Sequence, residues 1–339
     1  MLKIRLNLQL CALTTVPTAL VRKAWGKDTW NAAMKNIFFS KFMGKDASSI
    51  IRVQDELSKE AGDNVTIPLL LKLKNAAVTG DNTLEGNEEA LQYRDFNVVI
   101  NQYRNAVRLN GKMEEQRSAL KLRNDAKSAL QTWFTELIDG MFFSALTASP
   151  TTGRKVFAGT NTAESTIATT DVFSTALIGK AKRIAQMDAN APIQPVKVDG
   201  ANHYVMIIDP YQSRDLKNDA KWLAAQQNAA DRGSTNPIFT GALGVWDNVI
   251  IFENEQCIRT ATGASSGMVG HALFLGAQAG VMATAQDTQW VEKEFDYDNQ
   301  VGFAVSRILG IAKTQFKYDG TNAVDFSCVN VITASAADA

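Results

Sequence analysis

KMEEQRSALKLRNDAKSALQTWFTELIDGMFFSAL, residues 112–146, is the stretch around which the rest of the chain must be organised. It holds no proline, and no glycine before Gly140, so nothing in it interrupts a helix. Leu130, Phe134, Leu137 and Met141 recur at helical spacing, and Trp133, Ile138 and Phe142 widen the apolar stripe. The first half differs. Glu114, Glu115, Arg117, Lys121, Arg123, Asp125 and Lys127 leave it solvated or laid on a polar partner. At the helical rise the stretch spans about 50 Å, longer than most globular helices. Ser149-Pro150-Thr151-Thr152-Gly153 ends it.

Upstream, Asn64–Leu73 (NVTIPLLLKL) is β-rich, with Pro68 marking an edge strand or a bend. Gly80–Glu89 (GDNTLEGNEE) is a polar turn. Phe96–Leu109 reads as strand again. Val98, Ile100, Gln102 and Arg104 fall on one side and Asn97, Val99, Asn101 and Tyr103 on the other, so both faces mix polar with apolar residues. A two-stranded excursion without a clean apolar face is poorly stable alone, and cover from another chain is expected. Residues 1–58 read as an arm. Their apolar residues come in short groups: Trp25 and Trp30, then Ile37, Phe38, Phe39, Phe42 and Met43, then Ile50, Ile51, Val53 and Leu57, with breaks at Gly26 and Gly44. Such pieces cannot bury their aromatics among themselves and must lie on the rest of the chain or on a neighbour. Together with the excursion and the first half of the helix, the arm is expected to find its home only against sister copies.

Downstream, residues 151–171 read as a loop, and Asp171 can cap a helix whose Phe173, Leu177, Ala181 and Ile184 share a face. Pro192 and Pro195 end it. Val196–Val198 and Tyr204–Ile208 read as strands across a turn at Asp199-Gly200. Asp209-Pro210 is an N-cap with proline at the first helical position, opening a helix that runs through Leu216, Trp222 and Leu223 towards Gly233. Val249–Phe252 reads as a short buried strand. This αββαβ order predicts an α+β unit. Val291–Val331 is mainly β-like, with Gly302–Thr314 (GFAVSRILGIAKT) at its centre.

Composition narrows the function. The 339 residues carry 35 basic and 35 acidic side chains, for a formal net charge of +0. A dedicated nucleic-acid binder draws its affinity from a basic surface, so that class is disfavoured, whereas a wall that merely faces DNA is not. Cys11, Cys257 and Cys328 are too scattered for a disulfide framework or a metal site and suit a reducing cytoplasm. Met1–Ala19 starts with Lys3 and Arg5 like a secretory signal, but Asn7 and Gln9 interrupt its apolar part. Gly267–Ala285 is nearly uncharged, yet Gly267, Gly270, Gly276, Gly280, His271 and Gln278 favour a buried soluble segment over a membrane span. Each Gly-Lys pair is followed by Asp, Met or Ala, so no phosphate-binding P-loop is present. His203 and His271 are the only histidines, no Gly-x-Ser-x-Gly elbow accompanies them, and no cofactor is implied. Asp81, Thr83, Glu85 and Gly86 imitate the start of a calcium loop, but Gln92 stands at the twelfth position. Asp296, Asp298 and Gln300 start another, with Val301 where glycine belongs. Glu253, Glu255, Glu292 and Glu294 are the carboxylates a hydrolase would use. Alternating Glu-x-Glu is more often a solvated strand edge.

The stretches GDNTLEGNEEAL (80–91) and VVINQYRNAVRLNGKMEEQRSALKLRNDAKSALQTWF (98–134) resemble the major capsid proteins of tailed bacteriophages, in a coat family of N-four-like podoviruses and related prophages. TTVPTALVRKAW (14–25), DPYQSRDLKNDAKWL (209–223) and FDYDNQVGFAVSRILGIAKTQF (295–316) carry the same resemblance, while the first dozen residues depart from it. The resemblance implies an α+β capsid fold in five parts: an N-terminal arm (1–58), an extended loop (59–110), a peripheral domain with a long spine helix (111–170), an axial domain (171–290) and return strands of the peripheral domain (291–339). It further implies a structural protein of the virion and not an enzyme. Such a protein assembles in the bacterial host cytoplasm into hexamers and pentamers of an icosahedral head around double-stranded DNA. Scaffolding, portal and decoration proteins are its expected partners, with no membrane and no small-molecule substrate. Asp81, Glu85, Glu88 and Glu89 would sit at the extended-loop tip as an intersubunit contact. A shell-forming compartment subunit of the same fold is the alternative.

Overall fold

The computed structural model describes residues 30–55, 64–71, 73, 75–117, 122–188, 192–198, 200–227, 241–318 and 321–338. The start of the expected arm, with Met1–Ala19 and Cys11, lies outside the described residues.

The chain enters through a helix, α1, over residues 30–36, followed by a 3-10 turn at Phe38–Phe42. Two short strands follow, β1 (Met43–Gly44) and β2 (Ile51–Gln54). A hairpin of β3 (Asn64–Leu70) and β4 (Tyr93–Val99) leads to β5 (Asn101–Arg108). Helices α2 (Lys112–Arg117) and α3 (Leu122–Thr147) come next, and residues 118–121 of the expected single helix lie outside the described residues. In α3, Ala126, Leu130, Phe134, Ile138, Phe142 and Leu146 are buried, a stripe repeating every fourth residue. Its amino-terminal turns are largely exposed, as the charge pattern predicts.

The stripe of α3 packs on a five-stranded sheet of order β1-β2-β13-β14-β5, in which β13 (Gly280–Phe295) and β14 (Gln300–Lys313) form a long antiparallel hairpin. On β14 every second residue, Phe303, Val305, Arg307 and Leu309, is buried, the period of two expected of a strand with one covered face.

The remaining elements build a larger sheet. They are β6 (Lys155–Phe157), α4 (Thr175–Met187), β7 (Val196–Val198), β8 (Ala201–Ile208), α5 (Pro210–Asn218) and α6 (Ala220–Gln227). After them come β9 (Gly244–Trp246), β10 (Val249–Glu253), β11 (Arg259–Thr260), β12 (Val269–Leu275) and finally β17 (Cys328–Ala334). The sheet order is β6-β17-β12-β8-β10-β9, with β7 on β8 and β11 on β12. The small β15 (Gln315–Phe316) and β16 (Val324–Asp325) pair with each other. The larger sheet serves two cores at once. Tyr204, Met206, Ile208, Ile251 and Phe274 face α4 and α5. Val205, Ile207, Ile250, Phe252 and Leu273 join α3 and the arm. A sheet covered on both faces explains the unbroken apolar runs YVMII and VIIF. It also explains the uncharged stretch at 267–285, where all seven residues of β12 are buried. No described helix is long and apolar enough to cross a membrane.

Several expectations change. Residues 30–54 do not wait for a sister copy. Phe39 meets Phe142 and Phe143 at 4.9 Å between ring centres, and Ile37, Phe42, Ile50 and Ile51 lie in the same core. Asp139 of α3, itself buried, accepts the backbone N–H groups of Phe38 (2.9 Å) and Phe39 (3.3 Å). It thereby caps the 3-10 turn and fixes the arm's approach. The strand expected over 96–109 breaks at Ile100, because β4 pairs with β3 while β5 turns onto β14. The loop expected at 151–171 includes β6 and a 3-10 turn at Glu164–Thr166. The helix opening at Asp209-Pro210 has the expected N-cap, which Gln212 completes as a capping box, but it breaks at Asp219, which turns its side chain to Thr175 at the start of α4. The last strand, β17, joins the larger sheet between β6 and β12 instead of returning with β14, since its alternate side chains fill both faces there. Strand β13 runs across the boundary expected at 290/291.

Candidate assembly interface

The hairpin of β3 and β4 divides into an anchored base and a bare tip. At the base, Val65, Ile67 and Val98 are buried with Val281 and Ala283 of β13. Phe96 meets Phe316 edge-on at 6.1 Å between ring centres, and Arg94 Nε donates to the Lys317 carbonyl at 2.9 Å. Gly310 is what lets the β4–β5 corner cross β14. A Cβ there would stand 2.3 Å from the Val99 carbonyl oxygen. A glycine inside a strand marks such a close approach, a signal that the reading of GFAVSRILGIAKT as plain strand passed over.

Beyond Leu70 and Tyr93 no described residue of the loop is buried. Leu70, Leu73, Val78, Leu84, Leu91 and Tyr93 are all exposed. Leu70 and Leu73 close the NVTIPLLLKL run, whereas Leu84 stands alone between Thr83 and Glu85, so no apolar run advertised it. The loop is shaped from within. Leu71 N–H donates to the Gln92 carbonyl at 2.9 Å, and Asn82 and Asn87 side-chain amides close turns onto Thr79 and Thr83. Gly80 and Gly86 adopt positive φ (66° and 88°), as tight turns require.

The four acidic residues expected at this tip are all there, in two roles. Glu88 accepts Gly86 N–H at 2.7 Å and Glu89 accepts Asn75 N–H at 2.8 Å, so both brace the loop. Asp81 and Glu85 are exposed, and neither forms an ion pair with a described residue. The tip therefore combines bare leucines with bare carboxylates, which suits a partner that offers an apolar surface beside a cation.

The other candidate groups do not converge. Glu253 ends β10 and accepts Ser213, while Glu292 lies on the other sheet and accepts Trp290 Nε1 at 3.0 Å and Arg123. The hydrolase set is thus split between two sheets. His271 is buried against Thr260 (3.2 Å), and burial pushes its pKa down. Asp296 and Asp298 flank the fully exposed Tyr297 in a turn where all three have positive φ (53°, 50° and 64°). Among the described residues no group of three or more His, Cys, Asp or Glu side chains is placed to hold a metal ion.

A family model described as phage capsid protein matches residues 14–337. The chain belongs to the phage capsid protein family. The major capsid protein of Pseudomonas phage KPP25 is 31 % identical to it over 360 residues, covering 93 % of this chain and 95 % of the relative. The capsid of Ralstonia phage GP4 superposes with a TM-score of 0.79 at 29 % identity, covering 89 % of this chain and 92 % of that one. The capsid asymmetric unit of cyanophage Pam1 gives 0.74 at 25 %, covering 88 % and 92 %. The protein is a major capsid protein with the tailed-phage capsid fold, a structural component of the virion that associates with copies of itself.

Proposed function

We propose that this capsid protein builds the hexamers and pentamers of an icosahedral head around double-stranded DNA, and that the extended hairpin is its grip on the neighbouring subunit. One observation carries the reading: at the tip, Leu73, Leu84 and Leu91 are exposed beside Asp81 and Glu85, and neither carboxylate forms an ion pair with a described residue. In this reading the protein works by complementary surfaces alone and performs no catalytic step. Residues 1–58 form the arm and 59–110 the extended loop. Residues 111–170 carry the spine helix, 171–290 the axial unit and 291–339 the return, with β17 lent to the axial sheet. Asp81 and Glu85 meet cations of the next subunit, setting register more than affinity. Glu88 and Glu89 hold the loop's shape. Repetition around a closed ring multiplies a modest contact into a stable shell. A net charge of +0 suits a lining past which packaged DNA slides without sticking. Assembly takes place in the host cytoplasm, with scaffolding, portal and decoration proteins as further partners.

Negative-stain microscopy of the expressed protein tests this, with capsomers, tubes or shells expected. The triple variant Glu85→Lys/Glu88→Lys/Glu89→Lys is expected to stay folded and form no particles. Normal shells from that variant would remove the tip's role.

A further inference from the structure

Strand β12 lies inside the larger sheet, and its His271 is 5 % exposed. One ring nitrogen, Nε2, stands 3.2 Å from Thr260 Oγ1 of β11. The other, Nδ1, is buried and has no hydrogen-bond partner. From Thr260 a short polar chain runs outward. Its hydroxyl lies 2.8 Å from Thr262 Oγ1, which donates to Glu164 at 3.1 Å. Glu164 opens the 3-10 turn at Glu164–Thr166. Two ionisable groups act on the imidazole, Glu164 and Lys155 of β6. Arg259 of β11 lies instead over the Tyr211 ring at 4.9 Å, and Ile332 of β17, paired with His271, is apolar.

The segment that covers His271 is lightly anchored. Strand β12 pairs with β17 through seven residues and with β8 through three, but with β11 only through Arg259 and Thr260. After β11 the chain turns at Ala264–Ser266, where Ser265 and Ser266 both have positive φ (55° and 60°). That conformation is costly for residues with a Cβ. The turn is tied down by Ala264 N–H on the Ile167 carbonyl and by Ser335 N–H on the Met268 carbonyl, both at 2.9 Å. Beneath it Ile167 and Val269 are buried with Ile332 and Ala334.

We propose that residues 259–268 form an acid-released clasp, in which protonation of His271 detaches β11 and the turn after it from β12 and from the turn at Glu164–Thr166. A doubly protonated ring must donate from both nitrogens, and Nδ1 has no acceptor where it sits. Water reaches the ring most easily when Thr260 and its strand move away. Burial, the leading cause, holds the pKa of His271 below 6.5; Lys155 adds to the lowering and Glu164 opposes it. The closed clasp therefore binds a proton less tightly than the open one. It is fully held above pH 6.5, and below that its closing equilibrium weakens by up to about ten-fold per pH unit until the lowered pKa is passed. Release uncovers Ile167 and Val269. None of this depends on the loop-tip reading.

Hydrogen exchange of the full-length protein tests it, read as protection factors, which remove the intrinsic pH dependence of exchange. Between about pH 7.5 and about pH 5.5, protection at 259–268 is expected to fall by about two- to ten-fold, while the amides of 271–275 in β12 keep theirs. His271→Gln leaves a polar side chain beside Thr260 and gains no charge in this range, so its protection at 259–268 should be the same at both pH values. Unchanged protection in wild type overturns the proposal, and so does an equal fall in His271→Gln. A parallel fall at 271–275 overturns it too, because the sheet and not the clasp would then be loosening. If His271→Gln does not fold, the imidazole carbon shift of wild-type His271 decides. A titration midpoint below 6.5 is expected, and a midpoint at or above 6.5 overturns the proposal.

Discussion

Residues 37–51 and residues 71–92 both carry large apolar side chains on short, irregular segments, and they end in opposite environments. Phe39, Phe42, Ile50 and Ile51 are buried in the subunit's own core, whereas Leu73, Leu84 and Leu91 stand in solvent. Two differences account for this. The arm's aromatics are adjacent and present one compact face, and α3 offers both a phenylalanine stripe and a buried carboxylate, Asp139, that accepts two of the arm's N–H groups. The loop's leucines are dispersed among lysines, asparagines and glutamates, and only the hairpin's base, at Val65, Ile67 and Val98, is buried with β13. Apolar content alone does not tell a packed arm from an interaction loop. The density of the apolar face and a ready backbone partner do.

The largest effect expected from breaking this contrast is at the arm. Phe39→Ala should destabilise the subunit by about 3–5 kcal/mol, measured by urea denaturation, since it removes a fully buried aromatic between Phe142 and Phe143. A loss under 1 kcal/mol would mean that the arm is docked only loosely. Next comes the hairpin base. Gly310→Ala forces a Cβ against the Val99 carbonyl and should cost about 1–3 kcal/mol, with hydrogen exchange rising in 64–99 first.

A smaller, pH-dependent effect belongs to Asp139. Burial, the leading cause, raises its pKa above the ordinary 3.8 despite the two backbone N–H bonds and Lys41, which pull it down. The folded state therefore binds a proton more tightly than the unfolded chain, and the linked stabilisation is gained as pH falls through the raised value towards 3.8. Denaturation of wild type and Asp139→Asn at neutral and mildly acid pH should show the gap shifting in favour of wild type on acidification. A constant gap would show that Asp139 does not titrate in this way. The smallest stability effect is expected at the tip. Leu84→Ser with Leu91→Ser should change subunit stability by no more than about 0.5 kcal/mol while lowering particle yield. A large loss of stability there would sharpen the comparison in the opposite sense, by showing that the tip packs on its own chain.

Much of the architecture was readable from local chemistry. The α3 stripe, the N-cap at Asp209-Pro210 and the hairpin at 196–208 follow from periodicity and capping. The polar turn at Gly80–Glu89 was likewise legible, because glycine turns and exposed carboxylates need no tertiary partner. What sequence reading missed were pairings at long range. Among them are the turn of β5 onto β14 at Ile100 and the insertion of β17 between β6 and β12. Arg307 was also hidden, since an arginine in GFAVSRILGIAKT reads as an outward-facing strand residue until Trp30 is seen to lie over it.

The amino-acid order by itself determined which segments are helix, strand or turn, and it placed four acids together on one loop, because these depend on neighbours within a few residues. Tertiary structure alone decided that the arm packs at home and the loop does not, and that one strand arginine is buried under Trp30. Those outcomes depend on which faces meet across a hundred residues or more, and no local pattern encodes such meetings.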